Sequence, residues 1–151
     1  MELVREEALL RRKAGPSQTA QSVVEFAITL PVLLVLVLGL INLGLLVNAQ
    51  VILTQAAWEG ARAGATVADP ARGDAEIVAA VKGAVTGLNP DSVRIEIDPR
   101  QDEPPRNQPW PMPRGNPLTV RLEYDLNLSL PLTLQVAVRA SAVSRIEYQN
   151  P

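Results

Sequence analysis

From Phe26 to Trp58 the chain carries no charged residue. Between Phe26 and Val47 only Thr29, Pro31, Gly39, Asn42 and Gly44 interrupt the run of apolar side chains. A bilayer core of roughly 30 Å takes about 20 apolar residues in a helix rising about 1.5 Å per residue, so this run is long enough to span one. As the central helix of a soluble protein it would need cover on every side, and 151 residues are too few to supply it. It also exceeds the roughly 7–15 apolar residues of a secretory signal. The A-x-A pattern at Ala61-Arg62-Ala63 lies well past its end and reads as ordinary helix sequence. The segment is predicted to remain as an anchor.

The flanks predict its orientation. Arg5, Arg11, Arg12 and Lys13 precede the run, whereas the nearest positive charge after it is Arg62. Lysine and arginine stay preferentially on the cytoplasmic side, and acidic residues count little. The expectation is a single-pass protein of the cytoplasmic (inner) membrane, with residues 1–20 as a cytoplasmic leader, 21–47 as the span and 48–151 as an extracytoplasmic domain. Composition narrows the function. The chain has no cysteine, so no thiolate nucleophile or cysteine-based metal site, and no histidine, which removes the usual general base and the commonest metal ligand. A net charge of -2 without a basic stripe argues against a nucleic-acid partner. Aromatics make up 3% of the chain, so its core must be built from aliphatic side chains.

Along the chain, Glu2 to Lys13 has room for one or two amphipathic turns before Gly15, Pro16 and Ser17 break them. The anchor helix is predicted to begin near Gln21 and to continue past the membrane to about residue 68. Asn48 to Thr66 is free of proline and rich in alanine, and Asp69-Pro70 then stops it. Some 45 residues of helix would be about 65 Å long. A second helix is predicted over Ala71–Gly87, with Ile77, Val78, Val81 and Val85 at helical spacing, Asp74 and Glu76 near the start and Gly87 as cap. The period then changes from helical to alternating. Val93, Ile95 and Ile97 interleave with Arg94, Glu96 and Asp98, and from Leu118 to Leu130 every even position is apolar or Tyr124. From Leu132 to Tyr148 even positions are again mostly apolar, with Pro131 as the bend between the two runs. Clean alternation suits an antiparallel sheet with one packed face and one wet face. The predicted fold is therefore α+β: a long N-terminal transmembrane helix running into a small domain in which a second helix packs on about three antiparallel strands. Pro99 to Pro117 contains seven of the 13 prolines, counting both ends, and is predicted to be a long irregular loop, either a tolerated surface insertion or a contact loop with Trp110 as its aromatic anchor.

Glu25 is the residue most in need of an explanation, because a carboxylate on the edge of a hydrocarbon span is expensive without a partner. Hydration at headgroup level is the plainer reading of it. Around Glu25 the sequence resembles the TadE-like family, the pseudopilins of tight-adherence (Flp-type) pilus systems. The resemblance rests on Gln21-Ser22-Val23-Val24-Glu25-Phe26-Ala27, then Leu30-Pro31 opening the leucine-rich run. It continues through Gln55-Ala56-Ala57-Trp58-Glu59-Gly60-Ala61-Arg62 and ends at Arg139-Ala140-Ser141-Ala142 with Arg145-Ile146-Glu147. It implies a pilin-like fold and cleavage by a prepilin peptidase between Ala20 and Gln21, leaving Glu25 fifth in the mature chain to pair with a neighbour's freed amine. It also implies, as partners, membrane lipid, other pilin-like subunits and the pilus assembly machinery. The family pattern has glycine immediately before the cut and this chain has Ala20; an uncleaved chain that still joins an assembly is the alternative.

Other positions carry weaker signals. Pro31 cannot donate to the carbonyl of Ala27, which predicts a kink there unless neighbouring helices compensate. Asn42 suits an interhelical hydrogen bond better than a transport pathway. Ala56, Gly60, Gly64 and Ala68 recur every four residues as a smooth ridge, open either to the chain's own sheet or to another subunit. Glu59 and Arg62 are spaced for a salt bridge. No nucleophile–base pair, phosphate loop or metal cluster stands out; Ser141 and Ser144 lack a histidine, and Asp98, Asp102 and Glu103 read as solvated charges rather than a calcium site. The chain is accordingly read as no enzyme, with no cofactor. It is read as a minor pilin or pseudopilin assembled through lateral packing of its N-terminal helix, resident in the membrane or in the pilus. The alternative is a membrane-tethered extracytoplasmic binding module outside any pilus.

Overall fold

The computed structural model describes residues 17–67, 72–109, 111–130 and 132–147. The leader up to Pro16, the expected helix stop at Asp69-Pro70, Ala68, Trp110, Pro131 and Tyr148 lie outside the described residues. One helix, α1, runs over Ser17–Thr66, with Pro31 inside it. Ser17, expected in the preceding break, is thus already helical. A second helix, α2, spans Gly73–Ala84, and a three-residue 3₁₀ turn at Pro90–Ser92 leads into strand β1, Arg94–Asp98. Strands β2, Pro117–Leu130, and β3, Leu132–Arg145, complete a three-stranded sheet in the order β1-β2-β3. The expected α+β arrangement of a long apolar helix, a second helix and an antiparallel sheet is the one observed.

The chain divides into two compact units, residues 1–41 and 42–151. The second begins six residues before the expected domain start at 48, and the difference has a physical reason. Hydropathy marks where a bilayer would end, whereas compactness marks where the helix first touches the rest of its unit. Leu46 already packs against the core of the second unit.

That core is aliphatic and small. Leu53, Ile77, Val81, Leu118, Val120, Leu122 and Ile146 are its largest fully buried side chains. Each contributes about 1.5–3 kcal/mol by leaving water. Helix α1 contributes Ala49, Leu53, Ala56, Ala57, Ala61 and Ala65, all buried, at the three- and four-residue spacing of one helix face. Helix α2 contributes Ile77 and Val81. It starts with Asp74 and Glu76 and ends with Lys82, charges that complement the helix dipole. It stops three residues before the expected Gly87: Val85 turns extended while its N–H still reaches the carbonyl of Val81 at 3.1 Å. Gly87, at φ +81°, turns the chain just beyond.

The sheet follows the alternation. Leu118, Val120 and Leu122 face inward opposite Ser144, Ala142 and Ala140 of β3, and Ile95 and Ile97 of β1 lie opposite Leu122 and Val120. The outward face carries a ladder of charges. Arg94 pairs with Glu123 at 3.0 Å and Asp125 at 3.1 Å, Arg139 pairs with Glu123 at 2.7 Å, and Arg121 lies 3.6 Å from Glu96 and 3.7 Å from Asp98. Cross-strand pairs of this kind contribute roughly 0.2–1 kcal/mol each, and exposure keeps them at the low end.

The proline-rich segment is less irregular than expected. Successive turns close it, with the N–H groups of Glu103, Asn107, Gln108, Met112, Arg114 and Asn116 each donating to a carbonyl three or four residues back. Its anchor is Arg106, a buried cation among the described residues at 3% exposure, which donates to Asp74 and to the carbonyl of Pro99. Asp74 and Gln101 add a reciprocal pair, each backbone N–H donating to the other's side chain. The segment is thereby fastened to the first turn of α2.

Candidate functional site

In the unit formed by residues 1–41, Ala20, Gln21, Glu25 and Pro31 all lie on α1 and are all exposed. Valine, leucine, isoleucine and phenylalanine side chains surround them: Phe26 is 65% exposed, Val32 66% and Leu36 57%. Gln21, Ser22, Glu25 and Thr29 keep to one face of its first turns, and from Leu30 to Ile41 there is no polar side chain on any face. A helix apolar all round needs an apolar surrounding, either lipid or other helices. The described residues contain one helix long and apolar enough to cross a membrane, with a mean hydropathy of 2.8 in its most apolar stretch and none of that stretch buried. This suggests a single-pass membrane protein.

Proline has no N–H for the Ala27 carbonyl, and its ring crowds that turn. Thr29 Oγ1 donates to the Glu25 carbonyl at 2.7 Å, a back-bond onto a different acceptor from the Ala27 carbonyl that Pro31 leaves without its N–H. The helix assignment continues through Pro31 without a break. The helix also passes through the Ala20–Gln21 bond, because it starts at Ser17.

The remaining sequence-derived residues belong to the second unit. Asn42 is half-buried and opens the helix face that Leu46, Ala49 and Leu53 continue. Gly60 and Gly64 are buried on that same side. A Cβ placed on Gly60 would meet Val81 Cγ2 at 2.5 Å, and one on Gly64 would meet Ile77 Cδ1 at 2.5 Å and Leu118 Cδ2 at 2.6 Å. The two glycines let α2 and β2 approach the helix backbone. Ala56, Gly60 and Gly64 of the smooth ridge are therefore covered by the chain's own domain. Glu59 and Arg62 form no ion pair with each other among the described residues. Trp58, in contrast, is 56% exposed on the opposite side from Gly60 and Gly64.

Residues 20–62 match the family model described as TadE-like protein. The match takes in Ala20, Gln21, Glu25, Pro31, Asn42 and Gly60, and both sequence blocks from Gln21 to Ala27 and from Gln55 to Arg62. It ends before Gly64, α2 and the sheet, so the third block, Arg139 to Glu147, lies outside it. TadE-like proteins are a pilus-associated structural family, and the match suggests a pilus-associated protein here. No curated protein and no solved structure matches the chain.

Among the described residues no three acidic side chains come together as a metal site. Asp98 leans toward Arg121, and Glu103 Oε2 accepts the Arg100 N–H at 2.9 Å, so both are engaged in structure. The residue that sequence reasoning passed over is Arg106. An arginine in a proline-rich stretch looks like surface, and nothing in its neighbours announces that Asp74, 32 positions away, will hold it.

Proposed function

We propose that this chain is a minor pilin or pseudopilin that takes part in assembling a tight-adherence type pilus through lateral packing of the first half of α1. The observation that carries the reading is the exposed apolar helix with Glu25 near its start, inside the TadE-like match. On this reading a prepilin peptidase removes residues 1–20 on the cytoplasmic side, and the domain from Asn48 onward lies outside the inner membrane. The new amine of Gln21 and the carboxylate of Glu25 then sit one helical turn apart. Alone, each charge is costly in an apolar surrounding. Paired between neighbouring subunits, amine to carboxylate, they attract strongly and set the axial register of the packed helices. Pro31 and Asn42 lie along the same packing helix, and Asn42 offers an amide for hydrogen bonding between helices.

The test has two parts. Mass spectrometry of the protein from cells with an active prepilin peptidase is expected to find a chain beginning at Gln21; a chain retaining Met1 there rejects processing. Glu25→Ala is expected to abolish co-purification with other pilin-like subunits while leaving membrane insertion intact. Undiminished co-purification and piliation would remove the charge-pairing role.

A further inference from the structure

The β2–β3 ladder has two halves of opposite character. In the half that β1 covers, from Pro117 to Glu123, the inward leucine and valine side chains are buried and the outward face is laddered with charge. Between Asp125 and Arg139 the charge stops completely: residues 126–138 contain none. Their even positions read Leu126, Leu128, Leu130, Leu132, Leu134, Val136 and Val138. The cover stops as well. Leu126 and Leu128 are only half-buried, and Leu134, the cross-strand partner of Leu128, is 57% exposed. Leucines left open on a charge-free arm mark a contact surface.

The direction of this arm follows from two bonds within the second unit. The Glu147 N–H donates to the Ala65 carbonyl at 2.8 Å, and Gln50 Nε2 donates to the Arg139 carbonyl at 3.0 Å. Between those ties α1 descends fifteen residues, about 22 Å, while β3 descends eight, about 26 Å. Strand and helix therefore run side by side with a modest tilt. Continuing from Arg139 to Leu134 carries the arm a further ~14 Å, to about the level of Asn42. Leu46 belongs to the expected span, 21–47, and yet packs against the domain core. The charge-free arm thus overlaps the outer end of the span. Arg139, the first charge above it, lies level with Gln50, just past the end of the span.

We infer that the distal half of the β2–β3 hairpin lies in the outer surface of the same bilayer that α1 crosses, with Leu128 and Leu134 against lipid and Asp125 and Arg139 at the water line. This rests on the single-pass reading and is independent of pilus assembly. Apolar side chains seated at the headgroup and acyl boundary hold a domain to the membrane by the area they bury there. The hairpin would act as the domain's own foot on the membrane surface.

The chain has no cysteine, so single sites can be spin-labelled without background. Leu134→Cys, Leu43→Cys and Ser141→Cys are each labelled in the full chain, in phosphatidylcholine–phosphatidylglycerol vesicles at low protein-to-lipid ratio. Expected is a label at 134 that, like the one at 43, collides several-fold more with lipid-soluble oxygen than with a water-soluble nickel chelate, with the reverse at 141. A water-like label at 134 beside a lipid-like label at 43 overturns the hairpin contact and leaves the span standing. Water-like labels at both positions overturn the span and the hairpin contact together. A label at 134 shielded from both reagents and broadened by a neighbouring label overturns lipid in favour of a second copy of the chain.

Discussion

One helix passes through two environments. Over residues 20–41 almost every side chain of α1 is exposed, and Gly39 has open space where a Cβ would be. Over residues 49–65 one face of the same helix is buried, and Gly60 and Gly64 are notches filled by Ile77, Val81, Leu118 and Val120. The halves differ in polarity, with Gln50, Gln55, Glu59 and Arg62 only in the second, and also in the size of the side chains on one face. The first half is large and apolar all round, with no face to offer a small sheet, so it needs an apolar surrounding of its own. The second half narrows to alanine and glycine on one side, which lets a second helix and a strand come close to its backbone.

The sharpest break of that comparison is Leu118→Ala. It empties a fully buried position, and the domain is expected to lose about 2–5 kcal/mol, read by chemical denaturation in detergent. Leu36→Ala removes the same atoms from an exposed position of the first half and is expected to shift that transition by no more than about 0.5 kcal/mol. Comparable losses in both would mean that the domain also rests on the first half. Gly64→Val tests the notches: overpacking against Ile77 and Leu118 is expected to cost about 1–3 kcal/mol. Gly44→Val meets nothing within 4 Å and is expected to leave the domain's unfolding midpoint unchanged.

The smallest effect is electrostatic. Lys82 Nζ donates to Asp91 at 2.6 Å and holds that carboxyl below its ordinary value of 3.8, by the hydrogen bond first and by charge second. A carboxyl depressed on folding stabilises the folded state above its unfolded pKa, and the gain fades as pH falls through the depressed value. Asp91 is fully exposed, so the effect is slight. The melting-temperature gap between the natural chain and Lys82→Ala is expected to be small at neutral pH and to close in strong acid. A gap that persists there would assign the effect to packing of the lysine stem.

Much of this was legible because apolar patterning is local. The absence of charge from Phe26 to Trp58 announced the long helix, and the even-position leucines of Leu118 to Leu130 announced β2 and its inward face. Where long-range contacts decide, the sequence was silent. The four-residue recurrence of Ala56, Gly60 and Gly64 signalled close approach but not the partner, which proved to be α2 and β2. Proline content suggested an open loop, whereas a single buried guanidinium organises it, and the pairing of Arg106 with Asp74 has no periodic signature. Helix α2 ends three residues before Gly87 because a glycine able to reverse the chain need not sit next to the last helical turn. Of the candidate site, Ala20, Gln21 and Glu25 are neighbours in sequence and lie on one continuous helix, so naming them takes a motif and no long-range contact.

The outer border of β3 has a consequence for how such molecules can join. A fourteen-residue rim strand would ordinarily invite a neighbour's strand to extend the sheet. Here α1 engages that rim at the Arg139 carbonyl, through Gln50, and holds the chain just past its end, through the Ala65 carbonyl on the Glu147 N–H. An incoming strand would have to displace the chain's own helix at Arg139, while the opposite rim, β1, offers only five residues. Extension of the sheet by a donated strand is thereby disfavoured at Arg139 on one rim and by the shortness of β1 on the other.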